Sequence, residues 1–256
     1  MSWSKSRLSN HFEIKHGYAF KGEYFANSGR YIVLTPGNFY EEGGFKERKN
    51  EKYYSVDHPV EFILKKGDLI VAMIEQGEGL LGSSAIVPND DKYLHNQRLG
   101  LIVNLNEKTL SKNFLYYLFN TRAVRNSIIA TATGIKVKHT APNRILSIEV
   151  PLPPLATQQR IADILSTYDR FIDNNNRRIA LLEESIHLLY KEWFVRSRFP
   201  GYESVKVVDG IPEGWQITTL SKIAKVNEQS ISKKTPLNKY NTLIFHHFII
   251  TELGCT

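Results

Sequence analysis

Two Glu-x-Lys triplets, Glu13-Ile14-Lys15 and Glu47-Arg48-Lys49, are the first residues that suggest covalent chemistry. In a metal-dependent nuclease such a carboxylate holds a divalent ion while the lysine steadies the attacking water. That arrangement needs an aspartate upstream, and both triplets precede the first aspartate, Asp57. A methyl-transfer site needs a Gly-rich cofactor loop and an Asn-Pro-Pro-type amine pocket, and neither occurs. The eight histidines lack metal-ligand spacing, His246-His247 being only an adjacent pair. The sequence offers no catalytic residue and no metal ligand, and the chain is expected not to be an enzyme.

What remains is binding chemistry. The formal charge is +7, and the excess lies in residues 1–155, with 20 Lys and Arg against 15 Asp and Glu. Between Glu107 and Glu149 there is no acid at all, but there are Lys108, Lys112, Arg122, Arg125, Lys136, Lys138, His139 and Arg144. This is the footprint of a surface that meets phosphates, although charge alone fits a solvated basic helix face equally well.

At 256 residues and 42% hydrophobic, the chain can bury a core. The single cysteine, Cys255, excludes an intrachain disulfide and fits a reducing compartment. No apolar run reaches the roughly 18 residues of a membrane span, and "MSWSKSRLSNHF" lacks a signal-peptide core, so a cytoplasmic protein with no membrane partner is expected.

These residues must be positioned by short strands and helices. "YIVLT" (31–35), "DLIVAMI" (68–74), "SAIVP" (84–88) and "LGLIV" (99–103) are apolar or β-branched runs ended by turn residues, and read as strands. Residues 111–130 have helical spacing, with Ser111 as N-cap and Phe114, Tyr117, Leu118 and Ile128 on the buried face. "ILSIEVPLP" (145–153) reads as a last strand. The fold class is α+β: a mixed domain over 1–155, followed by a long coiled-coil helix.

That helix is the most regular feature. One seven-residue series holds Ile161, Tyr168, Asn175, Leu182, Leu189 and Arg196, and a second holds Leu165, Ile172, Ile179, Ile186 and Trp193. Nine of these eleven positions are apolar or aromatic, which marks a coiled-coil seam sustained over five heptads. The helix is expected from about Thr157 to Val195, inside a 156–198 rod, and would be roughly 58 Å long. A preceding domain of this size cannot cover it, so it needs a partner helix from another chain or from another part of this one. Asn175 sits mid-seam, where a buried amide penalises wrong registers; the alternative is that "NNN" (174–176) is a local irregularity. Residues 199–256 then read as a second beginning, because Trp215, Leu220 and Ser221 lie 212 residues after Trp3, Leu8 and Ser9.

"GYAFKGEYF" (17–25), "LKKGDLIVAMI" (64–74), "LHNQRLGLI" (94–102), "ATGIKVKHTAPNRILSIEVPLPPL" (132–155), "QQRIADIL" (158–165), "RRIALLEESIHLLYKEWF" (177–194) and "IPEGW" (211–215) together resemble the DNA specificity subunits of type I restriction-modification systems. The proline-to-helix junction is the most specific part. The chain departs from that pattern at Thr157, where the family usually has Glu, and in holding one complete recognition domain rather than two, as a half-length or truncated form. The resemblance implies a target-recognition domain followed by a helix that pairs antiparallel as a spacer. It implies double-stranded DNA as ligand, and methyltransferase and restriction subunits as partners that hold S-adenosylmethionine, ATP and magnesium, this chain binding no cofactor.

Within such a domain, base readers are Arg, Lys, Asn, Gln or His on loops, whose groups match base-edge donors and acceptors. The candidates are Lys46, Arg48 and Lys49 after the "EEGG" turn, Gln76 beside two glycines, and His95, Asn96, Gln97 and Arg98. Lys136, Lys138 and His139 follow Gly134 and suit phosphates. Lys65 and Lys66 fit an ordinary turn, Gln97 could be a structural core amide, and Tyr18, Phe20, Tyr24 and Phe25 could stack on bases, although aromatic residues at this spacing are more often core. With one recognition domain and one seam, an antiparallel homodimer is expected, with identical readers on a palindromic, bipartite site. The alternative is a nucleic-acid-binding or coiled-coil assembly module without sequence preference.

Overall fold

In the computed structural model of the chain, residues 3–223 are described, apart from 78, 135 and 136. The chain divides into two compact units, Met1–Arg178 and Ile179–Thr256.

The first unit contains strands β1 (Lys5–Arg7), β2 (Glu13–His16), β3 (Phe25–Ala26), β4 (Tyr31–Val33), β5 (Tyr53–Tyr54), β6 (Leu69–Ala72), β7 (Ser84–Ile86), β8 (Tyr93–Leu94), β9 (Leu99–Val103) and β10 (Glu149–Pro151). Its helices are α1 (Lys112–Phe119), α2 (Arg122–Ala130), α3 (Pro142–Leu146) and the start of α4 (Leu155–Tyr190). One sheet has the order β2-β9-β6-β7, all antiparallel, and a second has β3-β5-β4-β8 with β4 and β8 parallel.

β6 shows why the two sheets stack. Successive strand side chains point to opposite faces. Leu69, Val71 and Met73 enter a core with Phe114, Leu115, Phe119, Val124 and Ile128 of the helices. Ile70 and Ala72 face the other way, into a core with Ile32, Leu34 and Tyr93 of the second sheet. A strand covered on both faces reads as a continuous apolar run rather than an alternating one, as "LIVA" does. The α+β class and the four strands expected around 31–35, 68–74, 84–88 and 99–103 are present.

Two expectations change. The helix expected over 111–130 is two helices. Ser111 caps the first, accepting from Phe114 N at 3.5 Å, but Thr121 caps a second, accepting from Val124 N at 3.4 Å. Between them the Asn120 side chain turns away to Ser84, accepting from its N at 3.0 Å and donating to its Oγ at 2.9 Å. Ile128 and Phe114 are buried as expected, while Tyr117 and Leu118 are half-buried. The strand expected over 145–153 is confined to β10, because Pro142 at a first helical position starts α3 and carries the chain to Leu146.

α4 begins at Leu155, directly after Pro154, and is α-helical to Tyr190, where five residues, Lys191–Val195, form a π-helical turn. Only Gln158 and Ala162 of α4 are fully buried, and Ile161 packs partly on the first core. Beyond that first contact the seam is bare. Tyr168 is 64% exposed, Ile172 56%, Leu182 63% and Ile186 65%. Apolar residues outside the expected series, Ile164, Phe171, Leu181 and Leu188, are exposed as well and widen the stripe.

In the second unit, β11 (Val207–Val208) and β12 (Ile211–Pro212) form a hairpin whose Asp209-Gly210 turn has φ of 52° and 80°, the backbone that such two-residue turns require. Trp215 rings against Phe194 at 5.6 Å and Phe199 at 5.1 Å. The chain then forms the short helix α5 (Leu220–Ile223). The expected restart of the domain beyond 223, with Cys255 and His246-His247, lies outside the described residues.

Candidate nucleic-acid interface

One end of the first sheet gathers the loops. β2 ends at His16, β6 ends at Ala72, β7 begins at Ser84 and β9 begins at Leu99. The pairings His16↔Gly100, Ala72↔Leu99 and Val71↔Ser84 set these points side by side. The segments after β2, between β6 and β7, and before β9 therefore emerge together. The 133–139 turn joins them, because His139 bridges to Ile74 and to Thr133.

On this end the structure brings together Gln76, Gln97, Arg98, Lys138 and His139. Arg98 Nη1 approaches Gln76 Oε1 at 3.4 Å, a long contact, and its carbonyl accepts from Met73 N at 2.9 Å. Lys138 lies beside them, since its carbonyl accepts from Glu75 N at 2.9 Å. Gln76, Gln97, Lys138 and His139 are exposed and Arg98 is half-buried. The ring of His139 is held by Thr133 Oγ1 at 3.1 Å, and Arg144, which donates to that same hydroxyl and to Thr131 O, stiffens the turn. Lys136 falls outside the described residues.

Burial takes His95 and Asn96 out of the set that can touch a base. His95 is 0% exposed and Asn96 6%. His95 Nε2 meets Leu99 O at 2.9 Å while Nδ1 has no partner. Burial pushes this imidazole down to about 4; the Leu99 carbonyl opposes the shift, and the positive potential of Lys15 and His16 adds to it, so the ring is neutral at pH 7. Asn96 Oδ1 accepts from Arg98 N at 2.9 Å. Its own carbonyl sits so close to Gly17 that a Cβ there would come within 2.1 Å, so only glycine lets β2 leave beside it. The two polar side chains shape the loop that presents Gln97 and Arg98.

Lys46, Arg48 and Lys49 lie on a separate loop. Lys46 Nζ stands 5.6 Å from the Tyr40 ring, and Arg48 N donates to Glu51 Oε1 at 2.7 Å. Lys46 and Lys49 are exposed, Arg48 half-buried. This loop reaches the same sheet end at its root, where Ser83 Oγ donates to Tyr40 O at 2.7 Å and Gly44 N to Ser84 O at 2.9 Å. Tyr18, read as core, is 38% exposed, and its backbone is bonded on both sides to the loop before β9, by Tyr18 N to His95 O and by Gln97 N to Tyr18 O. The ring stands edge-on to Phe20 at 5.0 Å and tilted against Phe62 at 5.4 Å.

The helix root lies by the opposite end of the sheet, following β9 and preceding β2. Asn106 N donates to His11 O at 2.7 Å, and His11 Nδ1 meets Thr109 Oγ1 at 2.8 Å. Gln158 of α4, 1% exposed, accepts from Ser111 N at 3.0 Å and donates to Thr109 O at 3.0 Å and Pro153 O at 2.9 Å. A buried amide with every bond made fixes one geometry, since each group left unpaired would cost about 1–3 kcal/mol. About three turns further along α4, Tyr117 Oη donates to Asp169 Oδ2 at 2.6 Å; burial first and this bond second hold its phenol protonated far above the usual range. The sequence showed no sign of either role, because a glutamine or a tyrosine at helical spacing is ordinary.

Among the described residues no three His, Cys, Asp or Glu side chains come together as a metal site, and no helix is long and apolar enough to cross a membrane. The sheet end offers amide, guanidinium, ammonium and imidazole groups on exposed loops, which is chemistry for base edges and phosphates.

A model of the type I restriction modification DNA specificity domain matches residues 1–184. The chain is 31% identical over 121 residues to the type I restriction enzyme MjaIX specificity subunit of Methanocaldococcus jannaschii, covering 46% of this chain and 28% of that protein. It is 25% identical over 243 residues to the EcoBI specificity subunit of Escherichia coli, covering 95% of this chain and 44% of that protein. The chain thus spans less than half the length of these relatives. A type I restriction-modification S subunit from M. genitalium superposes with a TM-score of 0.57 at 19% identity, over 79% of this chain and 48% of that one, a likeness of fold. The matched residues include the whole loop-bearing sheet end and most of α4, and the chain belongs to the type I restriction-modification DNA specificity domain family.

Proposed function

We propose that the chain is the sequence-reading, non-catalytic part of a type I restriction-modification complex. In this reading 1–155 is the recognition domain, 156–198 the spacer helix and 199–256 the start of a second unit. The observation that carries it is the gathering of Gln76, Gln97, Arg98, Lys138 and His139 at one sheet end, with the bare α4 seam rooted by the other. Double-stranded DNA lies across the first, and a second copy pairs antiparallel along the seam. A methyltransferase subunit assembles with this chain. That subunit and the restriction subunit carry S-adenosylmethionine, ATP and magnesium.

Salt dependence tests the DNA part. If loop cations make about six phosphate contacts per domain, the logarithm of affinity will fall against the logarithm of salt concentration with a slope near −5, at roughly 0.9 per contact. Lys138→Ala will weaken all duplexes about equally and make that slope shallower by about 1, whereas Arg98→Ala will cost roughly 1–3 kcal/mol on the preferred duplex and relax one base position. A slope near zero would favour an assembly module instead.

A further inference from the structure

We propose that Arg125 is a positioning residue for base readout, holding the Gln76 loop and the Lys46 loop in one register by binding their backbone carbonyls. This rests on the reading of the sheet end as the DNA-facing surface. In the sequence Arg125 looks like one more surface cation of the acid-free stretch. In the structure it is 9% exposed. Its Nε donates to Leu81 O at 2.9 Å, its Nη1 to Glu41 O at 2.8 Å and its Nη2 to Gly79 O. Two of these carbonyls belong to the segment between β6 and β7, and the third to a loop some forty residues earlier. None of the ion pairs among the described residues involves Arg125.

The two loops interlock around this clamp. The Glu41 carboxylate lies across Gly79, where a Cβ would come within 2.3 Å of its Oε1, and Gly79 has a φ of +75° that favours glycine. Glu75 Oε1 accepts from Gly79 N at 3.2 Å. Gly82 packs against α2 so closely that a Cβ would meet Ile128 Cδ1 at 2.8 Å. Gln76 stands three residues before Gly79 and contacts Arg98, while Lys46 stands five residues after Glu41. Any shift of one loop is therefore transmitted through one planar guanidinium to the other. Only Arg offers donors in such a fixed fork; an ammonium is a point donor on a flexible stem.

A residue that positions readers differs from one that only stabilises, because phosphate contacts do not depend on it. The test compares the unaltered chain, Arg125→Lys and Arg125→Met, below their unfolding midpoints. Each is titrated with a duplex bearing the site that the wild type selects from randomised DNA, and with a scrambled duplex. The expected result is a fall of at least tenfold in the ratio of the two affinities for both variants, with scrambled-duplex affinity and salt slope within twofold of wild type. Gln76→Ala should then lose less in the Arg125→Lys background than in wild type. An unchanged ratio in Arg125→Lys, which keeps the charge and most of the volume, would overturn the proposal, as would a parallel loss on both duplexes. A wild type that prefers neither duplex would sink the reading of function along with it.

Discussion

Replacing both Ile172 and Ile186 by aspartate will leave the chain monomeric at micromolar concentration. Both positions lie on the seam, so an antiparallel pair buries them in both copies and the double variant places four carboxylates in the interface. Burying one such side chain is worth about 1.5–3 kcal/mol, so four losses amount to roughly 6–12 kcal/mol before any charge repulsion. A micromolar dimer rests on about 8 kcal/mol. The recognition domain will stay folded, because Ile172 and Ile186 are 56% and 65% exposed and lie outside its cores. Light scattering reads the mass directly. A variant that remains dimeric would show that the stripe is covered by something other than a second α4.

Acid will weaken the fold through His95, and His95→Gln will remove that part of the effect. The unfolded chain takes up a proton on this ring near 6.5, while the folded chain resists it down to about 4. Between those values the unfolded state binds more protons, so stability falls as pH falls through the window. The slope is about 1.4 kcal/mol per pH unit, or about 3 kcal/mol in all. Gln keeps a donor for the Leu99 carbonyl and does not titrate. Urea midpoints at pH 7 and pH 4.5 should therefore differ less in the variant than in wild type. Parallel pH profiles would mean that His95 is not held neutral.

His95 also marks where sequence reading stops. The polar run His95-Asn96-Gln97-Arg98 was legible as a loop, and its composition matches base edges, but residue type does not say which side of a loop faces inward. Two of the four support the loop and two are presented by it. Arg125 is the same case in a helix, a cation in an acid-free stretch that turns inward because three carbonyls from distant loops converge on it. β4, β6, β7 and β9 were legible because their apolar runs are decided locally, whereas β1, β2, β3, β5 and β8 carry no such run and were not. The long helix was legible because an apolar period of seven residues over five heptads keeps one stripe of a helix in line. The break at Asn120-Thr121 was not, since it depends on Ser84, 36 residues away. Nor was α3, where a first-turn proline outweighs the β-branched residues that follow. The Pro154 junction was legible as a boundary, but the Gln158 amide that locks it required the positions of Thr109 and Ser111.

The most direct test of the account is selection by the unmodified chain from duplexes with a long randomised centre. Two identical readers related by a two-fold axis, held apart by one helix pair, should enrich inverted half-sites around an unread spacer of fixed length, with the half-sites less than two duplex turns of about 34 Å apart. Adding or removing a single spacer base pair should abolish enrichment. A single asymmetric site would contradict the paired-copy arrangement, and the absence of any enriched sequence would contradict the claim that this chain reads DNA.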